Sequence, residues 1–274
     1  MKRVSDCSIS SQVRKGGLPP LFKLMGQVLI FENPQEVARA AADRFVELAR
    51  AAIDARGRFS VALAGGSTPQ RAYELLASDE YKTRLDWSKA HFFFGDERSV
   101  PPDNAQSNYR MANEAMLSRI PIPEKNVHLI RGVGDVVANA RLYEDELRTY
   151  FSDAEWPRFD LVLLGMGDDG HTASLFPNTS ALNDNQAWVT SNWVEKLNTY
   201  RITLTAPAIN HAAHVVFLVT GENKAARLAE VLSDARDTTR LPSQLIAPLN
   251  GTLEWYVDKA AASRLSSTSD ESKE

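Results

Sequence analysis

The chain is predicted to be an α/β protein: a doubly wound, mostly parallel sheet flanked by helices. Three observations predict this. Strand-like and helix-like runs alternate from Val28 to Val257. Several strand-like runs, Phe59–Ala64 and Phe159–Leu164 among them, are continuously apolar, as in strands covered on both faces. Three such runs lead directly into polar or glycine-rich loops, where an open α/β sheet binds ligands at its strand ends.

Each element has its own signal. Val28–Phe31 is a short strand. Asn33 can cap the helix that follows, with Pro34 at its first position and Glu36 in its first turn. Val37, Ala41, Phe45, Leu48 and Ile53 then recur at helical spacing, and Gly57 ends the helix. Phe59–Ala64 is a strand, and Gly65–Pro69 connects it tightly to a helix bearing Tyr73, Leu75 and Leu76. His91–Phe94 is expected as a strand, Asn108–Ile120 as a helix closed by Pro121-Ile122-Pro123, and Val127–Ile130 as a strand. Val136–Phe151 follows as a helix and Phe159–Leu164 as a strand. Arg201–Thr205 and His214–Val219 are further strands, Glu222–Leu232 a helix, and Leu253–Val257 the last strand. With no internal repeat and no linker, residues 25–260 form one domain.

Composition narrows the function. At 43% hydrophobic and 24% charged, the 274 residues match an ordinary globular protein. A net charge of −4 gives no sign of a nucleic-acid partner, and no apolar run approaches the length of a membrane span. The lone cysteine, Cys7, cannot form an internal disulfide, which fits a reducing, cytoplasmic compartment. Residues 1–24 mix Ser, Gly, Pro and basic residues without period, and lack the apolar core of a secretory signal. They are expected to be a disordered tail. Their Arg and Ser bear a weak likeness to a targeting segment, and the plainer reading is a natural start at Met25. The Ser- and charge-rich residues 261–274 are expected to be a second disordered tail.

Three loops carry candidate chemistry. In Ala64-Gly65-Gly66-Ser67-Thr68-Pro69, the glycines admit a close ligand, two hydroxyls stand ready, and the free N–H groups of the next helix point to the same place. That combination suits a phosphate. A turn with Thr68 as N-cap and Pro69 at the first helical position explains it as well. The loop lacks the Lys of a P-loop and the third glycine of a dinucleotide fingerprint, so ATP and NAD are disfavoured. Gly95-Asp96-Glu97-Arg98 places three charges at the end of a buried strand, which demands a rim or a polar pocket. Taken alone, a surface salt bridge explains it better. In the third loop, Gly165-Met166-Gly167-Asp168-Asp169-Gly170-His171-Thr172, His171 suits general-base work near neutral pH, and a neighbouring carboxylate can fix its tautomer. A plain turn or a metal site is the alternative, although a metal needs more ligands than this loop supplies. Arg201 opens a strand. Lys224 lies in a first helical turn, against the helix dipole, where a bound anion would offset the penalty. Without the other loops, Lys224 is a solvated surface residue.

Together these segments resemble the 6-phosphogluconolactonase family. The resemblance rests on AGGSTP at 64–69, FFFGDERSVPPDNAQSNYRMANEAML at 92–117, FDLVLLGMGDDGHTASLFP at 159–177, RITLT at 201–205 and VFLVTGENKA at 216–225. It spans about residues 26–258 in matching order. The resemblance implies a Rossmann-like sheet of the sugar-phosphate isomerase type. It also implies hydrolysis of 6-phospho-D-glucono-1,5-lactone, in the oxidative pentose phosphate pathway, with no cofactor and no metal. On that basis His171 is the general base, Asp169 orients it, Asp96 contacts the sugar or assists the proton path, and Arg98 faces the substrate. Gly66, Ser67, Thr68, Arg201 and Lys224 hold the phosphate. The expected partner is a small phosphorylated sugar lactone, with no nucleic acid and no membrane, and the protein is expected to be a monomer or weak homodimer. Two rivals differ in class. A glucosamine-6-phosphate deaminase-like isomerase would carry a Glu after the histidine, where this chain has Thr172-Ala173-Ser174-Leu175-Phe176. A non-catalytic sugar-phosphate sensor would bind phosphosugars without turnover.

Overall fold

The uninterrupted apolar runs become strands with both faces covered. In the computed structural model, which describes residues 26–152 and 154–265, the strands are β1 (Gln27–Phe31), β2 (Phe59–Leu63), β3 (Ala90–Phe94), β4 (Asp96–Arg98), β5 (Leu161–Leu164), β6 (Val189–Val194), β7 (Thr199–Leu204), β8 (His214–Val219) and β9 (Thr252–Asp258). Six of them form a parallel sheet in the order β1-β9-β8-β5-β2-β3. Every residue of β2 and β5 is buried, as the lack of alternation requires. The helices are α1 (Pro34–Arg56), α2 (Ser67–Leu76), α3 (Asp79–Lys82), α4 (Asn108–Ala115), α5 (Val136–Tyr150), α6 (Ala206–Asn210) and α7 (Ala225–Val231).

Local chemistry sets the first helix. The Asn33 side chain accepts from the Glu36 N–H at 3.0 Å, and Gly57 closes the helix at φ 73, its N–H reaching the Ile53 carbonyl at 2.7 Å. The apolar stripe of α1 buries Phe45 against Phe59, ring centroids 5.2 Å apart, and against Phe92 at 6.1 Å.

The winding of the parallel sheet locates the site. From β2 the chain steps outward to β3, then returns past β2 to β5 and proceeds the other way through β8 and β9. The direction reverses between β2 and β5. Such a reversal leaves a crevice at the carboxyl ends, and the loops after β2 and β5 flank it.

Four expectations are corrected. The GDER segment is not a loop. The chain changes sheets at Gly95, whose N–H donates to Leu63 of the parallel sheet at 2.9 Å while its carbonyl accepts from the Leu204 N–H at 2.8 Å. Residues 96–98 then form β4, an edge of an antiparallel sheet ordered β4-β7-β6. Val127–Ile130 is not a strand: Val127 makes a single bridge to Phe92. The chain then leaves the sheet to press Gly132 onto the Arg98 and Val100 backbone, where an added Cβ would lie 2.3 Å from the Arg98 carbonyl oxygen. The helix expected to reach Ile120 ends at Ala115, because Met116 departs to φ −143 and a 3-10 turn follows at Leu117–Arg119. Residues 261–265, assigned to the C-terminal tail, instead begin with the 3-10 turn Ala261–Arg264. The Asp258 carboxylate accepts the Ala261 N–H at 2.8 Å, and the turn packs on α7. The tail at 1–24 and residues 266–274 lie outside the described residues.

Candidate active site

A strand alternates its side chains, and β4 uses the alternation to separate two adjacent acids. Asp96 and Arg98 share a face of the antiparallel sheet with Thr203 and Arg201, their register partners on β7. Asn192 of β6 pairs with Arg201 on the same face. Glu97 points the other way. It accepts from Ser107 Oγ at 2.9 Å and from the N–H groups of Asn108 at 2.7 Å, Tyr109 at 2.9 Å and Arg98 at 2.8 Å. These bonds anchor the start of α4. Burial raises the Glu97 carboxyl above its ordinary range, although all four bonds oppose the rise. Glu97 is thus structural.

Asp96, 7% exposed, is held on both oxygens. Ser174 Oγ donates to Oδ2 at 2.6 Å and Asn108 Nδ2 to Oδ1 at 3.0 Å. Ser174 comes from the loop after β5, so this bond ties the antiparallel sheet to the histidine loop. The side chains of Arg98 and Arg201 lie side by side and, among the described residues, donate to backbone carbonyls, those of Gln106 at 2.6 Å and Tyr200 at 3.0 Å. Burial, reinforced by the neighbouring Arg98, lowers the Arg201 guanidinium below its usual range. The charges of Asp96 and Glu97 oppose the fall, yet neither guanidinium is ion-paired to a carboxylate among the described residues, an arrangement that can take an anion.

The loop after β5 is wound tightly around His171. The Gly167 N–H donates to the His171 carbonyl at 2.8 Å, and Ser243 donates its N–H and hydroxyl to the Gly170 carbonyl, each at 2.9 Å. Asp169 Oδ1 accepts from the His171 N–H at 3.1 Å and lies 2.5 Å from the ring Nδ1. The Phe176 ring stacks on the imidazole at 4.0 Å. Burial pushes the imidazole down to about 4; the charges of Asp96 and Asp168 oppose this, and those of Lys224 and Arg201 add to it. An imidazole so lowered is neutral at pH 7, with Nδ1–H donated to Asp169 and Nε2 without a hydrogen-bond partner among the described residues.

The expected phosphate residues gather at the neighbouring strand ends. Helix α2 starts at Ser67 with Gly66, φ 102, as its N-cap and no side chain capping it. Thr68 and Pro69 thus lie inside the first turn, not at the cap and first position, and the leading N–H groups have no intrahelical partner. Thr68 Oγ1 lies 2.8 Å from Thr220 Oγ1 at the end of β8, just before the 3-10 turn Glu222–Lys224. Lys224 is engaged: its Nζ donates to Asp168 Oδ1 at 2.5 Å, and Asn223 Nδ2 donates to the same oxygen at 3.1 Å. The bond from Lys224 holds the Asp168 carboxyl below its usual range.

Sequence reasoning missed Ser174, Asn108 and Asp168, although each lies inside a run that it singled out. It also missed Lys196, whose Nζ donates to Asp169 Oδ2. Lys196 sits in a turn between two strands, the first of which, β6, was itself not foreseen. Among the described residues, no group of three or more His, Cys, Asp or Glu side chains is placed to hold a metal ion, and no helix is long and apolar enough to cross a membrane.

The parallel sheet, with polar and charged loops at its switch point, defines a doubly wound α/β protein with its candidate site at the strand ends. A model of the family described as glucosamine-6-phosphate isomerases/6-phosphogluconolactonase matches residues 32–255. The chain belongs to that family. Within it, the similarity runs to lactonases. A protein named 6-phosphogluconolactonase from Nostoc sp. is 45% identical over 78% of this chain and 88% of its own length. Another of the same name, from Synechocystis sp., is 43% identical over the same shares. The solved 6-phosphogluconolactonase from Trypanosoma cruzi superposes with a TM-score of 0.77 at 32% identity, covering 88% of this chain and 97% of that one.

Proposed function

We propose that this chain hydrolyses 6-phospho-D-glucono-1,5-lactone to 6-phospho-D-gluconate, the hydrolytic step of the oxidative pentose phosphate pathway, with His171 as general base. Family membership and the 45% identity to a named lactonase support the activity. One observation carries the mechanism: a half-buried imidazole held at Nδ1 by Asp169, pushed down to about 4, whose Nε2 has no hydrogen-bond partner among the described residues.

Nε2 takes a proton from water as the oxygen attacks the lactone carbonyl. Arg98 stabilises the oxyanion that forms, a contribution of roughly 10²–10³ per donor, alongside roughly 10²–10⁴ from the positioned base. Collapse of the tetrahedral intermediate breaks the bond from the carbonyl carbon to the ring oxygen. The imidazolium returns its proton to that oxygen as a hydroxyl, and the new carboxylic acid ionises to solvent. Asp169 accepts the hydrogen bond from Nδ1–H throughout, without taking the proton, and stabilises the imidazolium. Asp96, fixed by Ser174 and Asn108, receives a sugar hydroxyl. Gly66, Ser67, Thr68, Arg201 and Lys224 hold the phosphate, which fixes the ring without sharing in the bond changes.

Ser174, in the segment where the deaminase-like rival would carry its acid, donates to Asp96 instead. The enzyme acts in the cytoplasm, which the single cysteine supports, as a monomer or weak homodimer with residues 25–260 as one catalytic domain. A rapid assay with freshly made 6-phosphogluconolactone tests the function. Rapid turnover, with unphosphorylated gluconolactone much slower, is expected; tight phosphosugar binding without turnover would replace the enzyme by a sensor. Sedimentation gives the oligomeric state.

A further inference from the structure

Asp169 has two oxygens, and His171 engages only one of them. Oδ1 serves the imidazole and its backbone N–H. Oδ2 accepts from Nζ of Lys196. Lys196 sits in the 3-10 turn Glu195–Leu197 joining β6 to β7, which Asn198 closes at φ 47. The same ammonium lies 4.9 Å from the centroid of Phe176, the ring that stacks on the imidazole. One cation therefore meets both groups that bracket His171: the carboxylate bonded to its edge and the ring over its face.

We propose that Lys196 is a positioning residue for the hydrolysis, clamping Asp169 and Phe176 so that His171 stays aimed at the lactone carbonyl. The proposal rests on His171 as the base. A lysine side chain 51% exposed in an ion pair adds little stability, so its value here is geometric. A carboxylate engaged at one oxygen can rotate and exchange its oxygens; a partner on the second oxygen stops the rotation. The cation–π contact restrains Phe176 in the same way. The placement of Lys196 also matters. Its hairpin is continuous with the strands carrying Arg201 and Asn192, so the clamp locks the antiparallel half of the site onto the loop that carries the base.

The test is Lys196→Met in the full chain, with kcat and KM measured on fresh lactone from about pH 4 to pH 7. The charged groups facing the imidazole are Asp96 from β4, Arg201 from β7, Lys224 from the turn after β8, Asp168 and Asp169 from its own loop, and Lys196 from the hairpin. Removing this cation while Asp169 remains favours the imidazolium, so the acid limb of the rate should move to higher pH. The expected kcat falls roughly five- to fiftyfold, below the ~10²-fold that a 1 Å misplacement can cost, with KM within about threefold. Lys196→Arg should restore most of kcat. An unchanged kcat and acid limb would overturn the proposal. A raised KM with intact kcat would also overturn it, making Lys196 a substrate ligand. Thermal melts verify the fold, and Lys196→Gln provides a second neutral variant. If His171→Ala kept wild-type kcat, the general-base reading itself would fall, an outcome separate from any result at Lys196.

Discussion

Nδ1 of His171 and Oδ1 of Asp169 lie 2.5 Å apart, which holds the ring proton on Nδ1 and keeps the lone pair on Nε2. Replacing either partner should strike kcat. His171→Ala removes the proposed general base, and kcat should fall roughly 10²–10⁴-fold while KM moves little. Asp169→Asn offers an amide donor where an acceptor is needed and favours the wrong tautomer, so a loss of comparable order is expected. Steady-state kinetics on purified variants decide both, and wild-type kcat in His171→Ala would remove it from the mechanism.

The depressed imidazole predicts the pH profile. Its folded value of about 4 lies below the ordinary 6.5, so the base form persists through the mildly acidic range and is lost only as pH falls through about 4. The acid limb of kcat/KM should lie well below 6.5. The stability sign is the same: between 6.5 and about 4 the unfolded imidazole takes the proton first, so the folded state weakens as pH falls. A limb at 6.5 or above would show that the imidazole is not held neutral.

At the anion site, Arg201→Ala and Lys224→Ala should each raise KM, by roughly ten- to hundredfold if a charge-assisted bond is lost, with kcat changing little. Asp168 makes the opposite prediction. Its carboxylate already occupies Lys224, so Asp168→Asn should lower KM. Its side chain is 72% exposed, which limits the gain to about fivefold or less. Inhibition by inorganic phosphate should strengthen in parallel, and an unchanged inhibition constant would mean that Asp168 does not compete.

Gly167 admits no side chain. A Cβ there would lie 2.1 Å from the His171 ring atoms Cε1 and Nδ1, so Gly167→Ala must displace the imidazole. Activity should drop by roughly 10² or more in a protein that still melts cooperatively.

Glu97 separates stability from catalysis. Glu97→Ala strips four donors of their acceptor and should cost roughly 3–5 kcal/mol, visible as a lower melting temperature. The kcat of the surviving folded fraction should stay near wild type.

The parallel sheet was legible because its strands carry unbroken apolar runs and its first helix carries a cap at each end. The loops after β2 and β5 were legible because glycine and polar residues at strand ends have few other uses. The antiparallel sheet was not. β6, VTSNWV, mixes polar and apolar residues without a turn signal, and β4 is three charged residues whose strand character comes only from pairing with β7. The division of labour between Asp96 and Glu97 was hidden for the same reason, since it follows from which face each residue takes. The engagement of Lys224 by Asp168 and of Asp169 by Lys196 depends on contacts across dozens of residues, which no local pattern encodes.

Because Gly95 belongs to both sheets at once, the distance from it to each acid is counted in whole residues. Dropping one residue from this corner would turn an anchoring carboxylate into the crevice and drive the working one beneath α4. Adding one would make the same exchange, because the alternation repeats every two residues. The stretch therefore behaves as a ruler of invariant length, and variants that lengthen or shorten the protein should survive only at other loops.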